Sequence, residues 1–172
     1  MKKTILLSLV LTLSIYAQEI GTGLAIKVSD GDTVTLAKFP TEEKIKCRLY
    51  GIDAPEKDQP YGQDSKRYLQ QLVMNRPIAY TIINKDMYGR SVCVLTITEN
   101  QELININDKM VSSGMAWTYT QFLKKDKETA ERLKSLENTA KQEKIGLWQD
   151  KLPEAPWQFR KSKKLRKQEL DK

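Results

Sequence analysis

A chain of 172 residues carrying 29 Lys and Arg against 22 Asp and Glu suits one domain around one hydrophobic core. It has no histidine, which removes the usual general base, His-based zinc sites and every Ser–His or Cys–His catalytic pair, and its two cysteines are too few for a zinc cage. The net charge of +7 is not by itself a sign of a polyanionic partner: Lys2 and Lys3 open the chain, residues 157–172 hold seven Lys/Arg against two acids, and everything between is neutral.

Lys2-Lys3, the apolar run 4–17 and then Gln18-Glu19 read in order as a secretory signal peptide cut after Ala17. The run is shorter than the ~20 apolar residues of a transmembrane helix, so an uncleaved anchor is the lesser alternative. No Cys follows it closely, which argues against a lipid-modified N-terminus. The mature protein is therefore expected outside the cytoplasm, in the periplasm or secreted.

Residues 23–28 alternate as a strand, Asp30-Gly31 suits a hairpin turn, and 33–37 reads as a second strand. A third strand is expected over 45–52, followed by a loop marked by Pro55, Pro60 and Gly62. Residues 64–74 read as a helix with Tyr68, Leu69, Leu72 and Val73 on one stripe. Strands follow at 77–83 and 92–98, joined by 84–90. A short helix at about 107–113 ends at Gly114. Asp126 can cap a last helix, with Ala130, Leu133, Leu136 and Ala140 facing inward and Gly146 stopping it. Trp148 and Trp157 offer bulk for packing back. The sum is an α+β, mainly β domain over 18–157, an OB-fold Greek-key barrel of five strands with three covering helices. Residues 158–172 are expected to be a basic, unstructured tail, either solvated or a handle for polyanions.

Without P-loop, GxGxxG or EF-hand patterns, chemistry must come from carboxylates and arginines, with or without a hard metal ion. Asp32, Asp53 and Glu56 stand at turns or strand ends, accompanied by Arg48 and Arg90. Each alone has a bland explanation: an Asp tolerating a turn backbone, a solvent-facing Arg, a solvated loop Glu. Arg48 and Asp53 are five apart, so a regular strand would point them to opposite faces, but Gly51 between them is a natural place for a bulge that brings them together. Pro55 stiffens the turn that follows.

Asp30-Gly31-Asp32-Thr33, then residues 48–56 (RLYGIDAPE), then Asp86-Met87-Tyr88-Gly89-Arg90, resemble the staphylococcal nuclease (thermonuclease) family. Tyr61-Gly62 and Gly146-Leu147-Trp148 fit as well, so the resemblance spans about 21–157. It implies Ca²⁺ held by Asp32, Asp53 and the backbone carbonyl of Ala54, a set of hard oxygens that suits this ion independently. By the same resemblance Glu56 orients or deprotonates the attacking water, Arg48 and Arg90 bind the phosphate, and Tyr88 lies beside the nucleotide phosphate. The implied reaction is endonucleolytic hydrolysis of DNA or RNA leaving 3′-phosphate ends, by a monomer. Ala54 replaces the Thr of the best-known members, the 57–60 loop is short, and Met87 replaces a residue often basic in relatives. Tyr119, with Trp117 and Phe122, is a candidate for base stacking, against the alternative of packing on the last helix.

Related domains that keep the barrel and lose the charged set serve as nucleic-acid- or protein-binding modules. A binding module is thus the main rival reading, and a phosphodiesterase for a non-polynucleotide substrate is a third. Cys47 and Cys93 sit at odd offsets from Arg48 and Arg90, so both can face the barrel interior. Two buried free thiols are the default expectation and a disulfide the alternative.

Overall fold

The computed structural model describes residues 19–170. The expected signal peptide lies outside that range, and no described helix is long and apolar enough to cross a membrane. Strand β1 (Glu19–Asp30) pairs antiparallel with β2 (Thr33–Lys38) across a turn at Gly31-Asp32, and β2 pairs with β3 (Lys44–Leu49). On the other side of β1 lies β5 (Pro77–Lys85), itself paired with β6 (Ser91–Glu99). Parallel pairing of β3 with β6 shuts the ring into the expected five-stranded barrel.

Alternation makes the interior. Along β6, Ser91, Cys93, Leu95 and Ile97 are buried while Val92, Val94 and Thr96 between them are half-buried, the period-two pattern of a strand with one wet face. Val34, Leu36, Leu49 and Ile78 meet them from the other strands, and Leu69, Met110 and Leu133 seal the barrel from three helices. Each such side chain contributes ~1.5–3 kcal/mol when fully buried. Asn107 is the buried polar exception. Its amide donates to the carbonyls of Tyr50 (2.9 Å) and Cys93 (3.2 Å), and its oxygen accepts from the Leu95 N–H (3.2 Å), so the group is satisfied.

The helices are α1 (Gly62–Val73), α2 (Ile106–Ser112) and α3 (Lys127–Gln142), close to expectation. Asp126 caps α3 by accepting from the Thr129 N–H at 3.0 Å. Two small strands were not foreseen as separate elements: β4 (Ile52–Asp53) breaks from β3 and pairs with β8 (Trp117–Thr118). Strand β7 (Glu102–Asn105) was missed altogether, because its hairpin turn is Asn100-Gln101, both at positive φ (51° and 68°), without the glycine that announces such turns.

Two expectations are corrected. Cys47 and Cys93 are joined in a disulfide, with Cα atoms 5.6 Å apart, because the β3–β6 pairing places Cys93 opposite Leu49 and both thiols inside the barrel. The segment 158–172, expected to be loose, is helical to Leu170 in a fourth helix, α4 (Pro156–Leu170). Proline at its first position is preorganised for a helix start. Trp157 anchors it, stacked on Tyr119 (centroids 5.3 Å, 29°) and edge-on to Trp117 (5.7 Å, 74°). Trp157 was legible as bulk for packing back, but its partners Tyr119 and Trp117 lie on a distant segment, so the helix it anchors was not.

Candidate active site

Three chain segments deliver the charged residues to one end of the barrel. The β1–β2 turn carries Asp32. Gly31 beside it lets α1 approach, since a Cβ there would run into the Ser65 side chain and come within 2.8 Å of the Ala54 Cβ. The Asp32 N–H donates to Asp30 Oδ1 (3.3 Å), and Asp32 Oδ2 accepts from the Ala54 N–H (2.7 Å), tying the turn to the loop after β4. Strand β3 ends with Arg48. Gly51, at φ 77°, then reverses the chain so that Asp53 comes back onto the same side. Arg48 Nη2 donates to Asp53 Oδ1 at 2.6 Å, and Arg48 also pairs with Asp32. The bend expected at Gly51 is there. Burial acts to lower the Arg48 pKa while Asp53 opposes it, and a guanidinium keeps its charge in any such balance.

The loop after Pro55 presents Glu56, whose backbone is fixed on both sides. Its N–H donates to Gln59 Oε1 (3.0 Å), its carbonyl accepts from the Gln59 N–H (2.9 Å), and Gln59 in turn donates to the Glu154 carbonyl (2.6 Å). The β5–β6 connection presents Arg90. Asp86 accepts from the Arg90 Nε (2.6 Å) and from the Tyr88 and Arg90 backbone N–H groups (2.9 Å each). Partial burial works to raise the Asp86 pKa, but these donors win and hold it below the ordinary carboxylate value. The Arg90 guanidinium lies 5.5 Å from the Tyr88 ring centroid.

Asp32, Arg48, Asp53, Ala54, Glu56, Tyr88, Arg90 and Tyr119 all line one open cavity of about 350 Å³. Phe122 lines it too, and its exposed ring packs edge-on against Tyr119 (4.7 Å). A second hollow of about 340 Å³, floored by Leu49, Tyr50 and Val92, continues past Met87 and Tyr88. Trp117 does not reach the cavity; it packs against Trp148 (4.3 Å) under Lys141. The stacking expectation therefore divides, with Tyr119 and Phe122 at the cavity and Trp117 in the packing.

Two residues of the site escaped sequence reasoning. Asp86 orients Arg90, and its i, i+4 spacing was the available signal. Arg160 of α4 reaches across the cavity: Nη2 donates to Asp53 Oδ2 (2.7 Å), Nη1 to Glu56 Oε1 (2.7 Å) and to Asp53 Oδ1 (3.3 Å). Nothing local marks it, since it sits 107 residues from Asp53.

Among the described residues no three Asp, Glu, Cys or His side chains converge as a finished metal cage. The donor chemistry nevertheless fits a hard cation. Asp32 and Asp53 are almost fully buried carboxylates opening on the same cavity, without nitrogen or sulfur donors. Arg160 already supplies positive charge at Asp53 and Glu56. A cation with water and phosphate as its remaining ligands needs no closed cage.

The family model described as "Staphylococcal nuclease homologue" matches residues 46–150. The chain is 39% identical over 168 residues to a Haemophilus influenzae protein named "Uncharacterized endonuclease", covering 95% of this chain and 88% of the relative. An Escherichia coli protein of the same description is 36% identical over 141 residues, 82% of this chain and 86% of the relative. A Shigella flexneri protein named "Micrococcal nuclease" is 31% identical over 162 residues, 91% and 90% of the two chains. A barrel of this topology, a cavity combining carboxylates with arginines, and matches over most of the chain agree, and the chain belongs to the staphylococcal nuclease family.

Proposed function

We propose that the protein is an exported, Ca²⁺-dependent endonuclease that cuts DNA, RNA or both and leaves 3′-phosphate ends. Family membership carries the coarser part: it is a nuclease, a hydrolase of phosphodiester bonds. The observation that supports the proposed chemistry is the meeting of Asp32, Asp53 and Glu56 with Arg48 and Arg90 in one cavity.

Asp32, Asp53 and the Ala54 carbonyl would hold Ca²⁺. When bound, the ion supplies positive charge beside the phosphate and lowers the pKa of a coordinated water. Arg48 and Arg90 hold the non-bridging phosphate oxygens and offset the charge that builds on them as phosphorus becomes five-coordinate. Arg48 is set by its buried ion pairs and Arg90 by Asp86, so neither must be ordered during the reaction. Glu56 takes a proton from the attacking water as its oxygen bonds to phosphorus, the bond from phosphorus to the 5′ oxygen breaks, and the departing 5′ oxygen takes a proton from solvent to leave as a hydroxyl. Tyr88 lies along the phosphate, and Tyr119 with Phe122 offers a face for a base. Every group comes from one chain, which supports a monomer. The apolar start of the sequence and the Cys47–Cys93 disulfide support export, since disulfides persist in oxidising compartments.

The test is digestion of single-stranded DNA and of RNA with Ca²⁺ and with chelator, followed by end-group analysis. Cleavage that stops with chelator, falls steeply in Glu56→Gln and leaves 3′-phosphates is the expected result. Chelator-resistant activity removes the metal from the mechanism, unchanged activity in Glu56→Gln removes the base, and 5′-phosphate products place the break at the other ester bond.

A further inference from the structure

Asp53 is 1% exposed, and both its oxygens are engaged. Oδ1 faces Arg48 from within the barrel; Oδ2 receives Arg160, which also takes Glu56. The two arginines differ in how they are held. The Arg48 side chain is 14% exposed at the end of β3, where it bridges Asp32 and Asp53. Arg160 is 45% exposed and belongs to α4, outside the barrel. Burial works to lower its pKa, but the hydrogen bonds to Asp53 and Glu56 dominate and raise it.

We propose that Arg160 is a tethered competitor of the metal ion: α4 docks this guanidinium on Asp53 and Glu56 when Ca²⁺ is scarce, and Ca²⁺ must displace it to reach Asp53. The inference rests on the assignment of Asp53 as a metal ligand. A divalent ion on an Asp53 oxygen would lie within a few Å of a guanidinium on the same carboxylate. Like charges that close, in a site partly shielded from water, repel strongly. Of the two arginines on Asp53, the one on the exposed arm yields.

The tether gives the competitor its strength. Lys163 pairs with Asp58, and Trp157 stacks on Tyr119, so Arg160 stays beside its targets at a high effective concentration. The apparent metal affinity is then the intrinsic affinity scaled by the fraction of molecules in which Arg160 is off. The same contact covers Glu56. The undocked fraction, set by α4, fixes the Ca²⁺ concentration at which the base and a metal ligand become available together.

The test is calorimetric titration of the purified protein with Ca²⁺ alone, at fixed ionic strength and without nucleic acid. Arg160→Met keeps the aliphatic stem and removes the charge. It is expected to bind Ca²⁺ about tenfold more tightly than wild type, the shift that follows if Arg160 is docked in roughly nine molecules of ten. Its melting temperature without metal is expected to be lower than that of wild type, and the gap should close at saturating Ca²⁺, where Arg160 of the wild type is released and contributes no more than the Met of the variant. Lys163→Ala, which loosens the tether and leaves the cavity side chains intact, should shift affinity the same way by a smaller factor, and carries the test if Arg160→Met does not fold. Equal or weaker Ca²⁺ binding by the variants, beside a wild type that binds it, overturns the competition and leaves the metal assignment standing. No Ca²⁺ binding by any of the proteins overturns both.

Discussion

Arg48 and Asp53 face each other at 2.6 Å although they are five residues apart on a chain that enters as a strand. The reversal at Gly51 makes this contact, and Leu133 and Leu123 fill the space that a side chain at Gly51 would need. The pair is buried, with Asp32 completing it on the other side of the guanidinium. Such an arrangement does two things at once: it stabilises two acids in a small volume, and it points the guanidinium face at the cavity.

Arg48→Met should therefore fail in two separable ways. It leaves buried Asp32 without a counter-charge and Asp53 with Arg160 alone, expected to cost ~3–5 kcal/mol of folding stability in urea unfolding. It also removes a donor to the developing phosphate charge, so the rate of cleavage should fall roughly 10²–10³-fold, a loss of ~3–4 kcal/mol in transition-state stabilisation. Adding Asp53→Asn should recover part of the stability and none of the activity, and the double-mutant cycle separates the two effects.

The disulfide links residues 46 apart, and the chain-entropy argument for a loop of that size gives about 4 kcal/mol. The double variant Cys47→Ala/Cys93→Ala is expected to lower the urea midpoint by a corresponding amount. Unfolding without reductant and alkylating should label neither cysteine in the wild type. Labelling of both would return them to the free thiols expected from sequence.

Asp126 gives a pH-dependent prediction. The Thr129 backbone N–H, then the other groups around it, hold its pKa below the ordinary value of 3.8, against partial burial. A carboxyl with a depressed folded pKa contributes stability that is complete above the unfolded value and vanishes as pH falls through the folded one. Asp126→Ala is expected to cost ~1 kcal/mol near neutrality, the usual worth of such a cap. Wild type and variant should converge as pH falls below 3.8 and through the depressed folded value, as measured by urea midpoints across the acid range.

Much of this molecule is written locally. Alternation at 92–98 and the Asp-Gly turn at 30–31 mark barrel strands, and Asp126 marks the start of α3, because each depends on a period or a cap within a few residues. Arg48, Asp53 and Glu56 fall within one short motif around a bend, residues 48–56, and Asp32 lies in the β1–β2 turn, so the sequence places all four at turns or strand ends, and the structure brings them to one cavity. What escaped depends on contacts between distant segments. Helix α4 is held by Trp157 against Tyr119 and Trp117, and by Arg160 and Lys163 against acids about a hundred residues earlier. Its sequence alone, rich in Lys and Arg with few apolar residues, carries no stripe to announce burial. The disulfide was undecided until the β3–β6 register set the distance between the two Cα atoms.

That register has a further consequence. Only three residue pairs, Cys47 with Ser91, Arg48 with Val92 and Leu49 with Cys93, join β3 to β6. Of the two arginines at the cavity proposed to bind phosphate, Arg48 stands on that seam, and Arg90 precedes it by one residue on the opposite bank. In a chain whose barrel is still open, the two guanidinium groups ride on segments free to diffuse apart, and there is no clamp to grip a phosphodiester. The paired arginines therefore exist only in the closed barrel, and hydrolytic power arrives with the last step of folding rather than with any one segment.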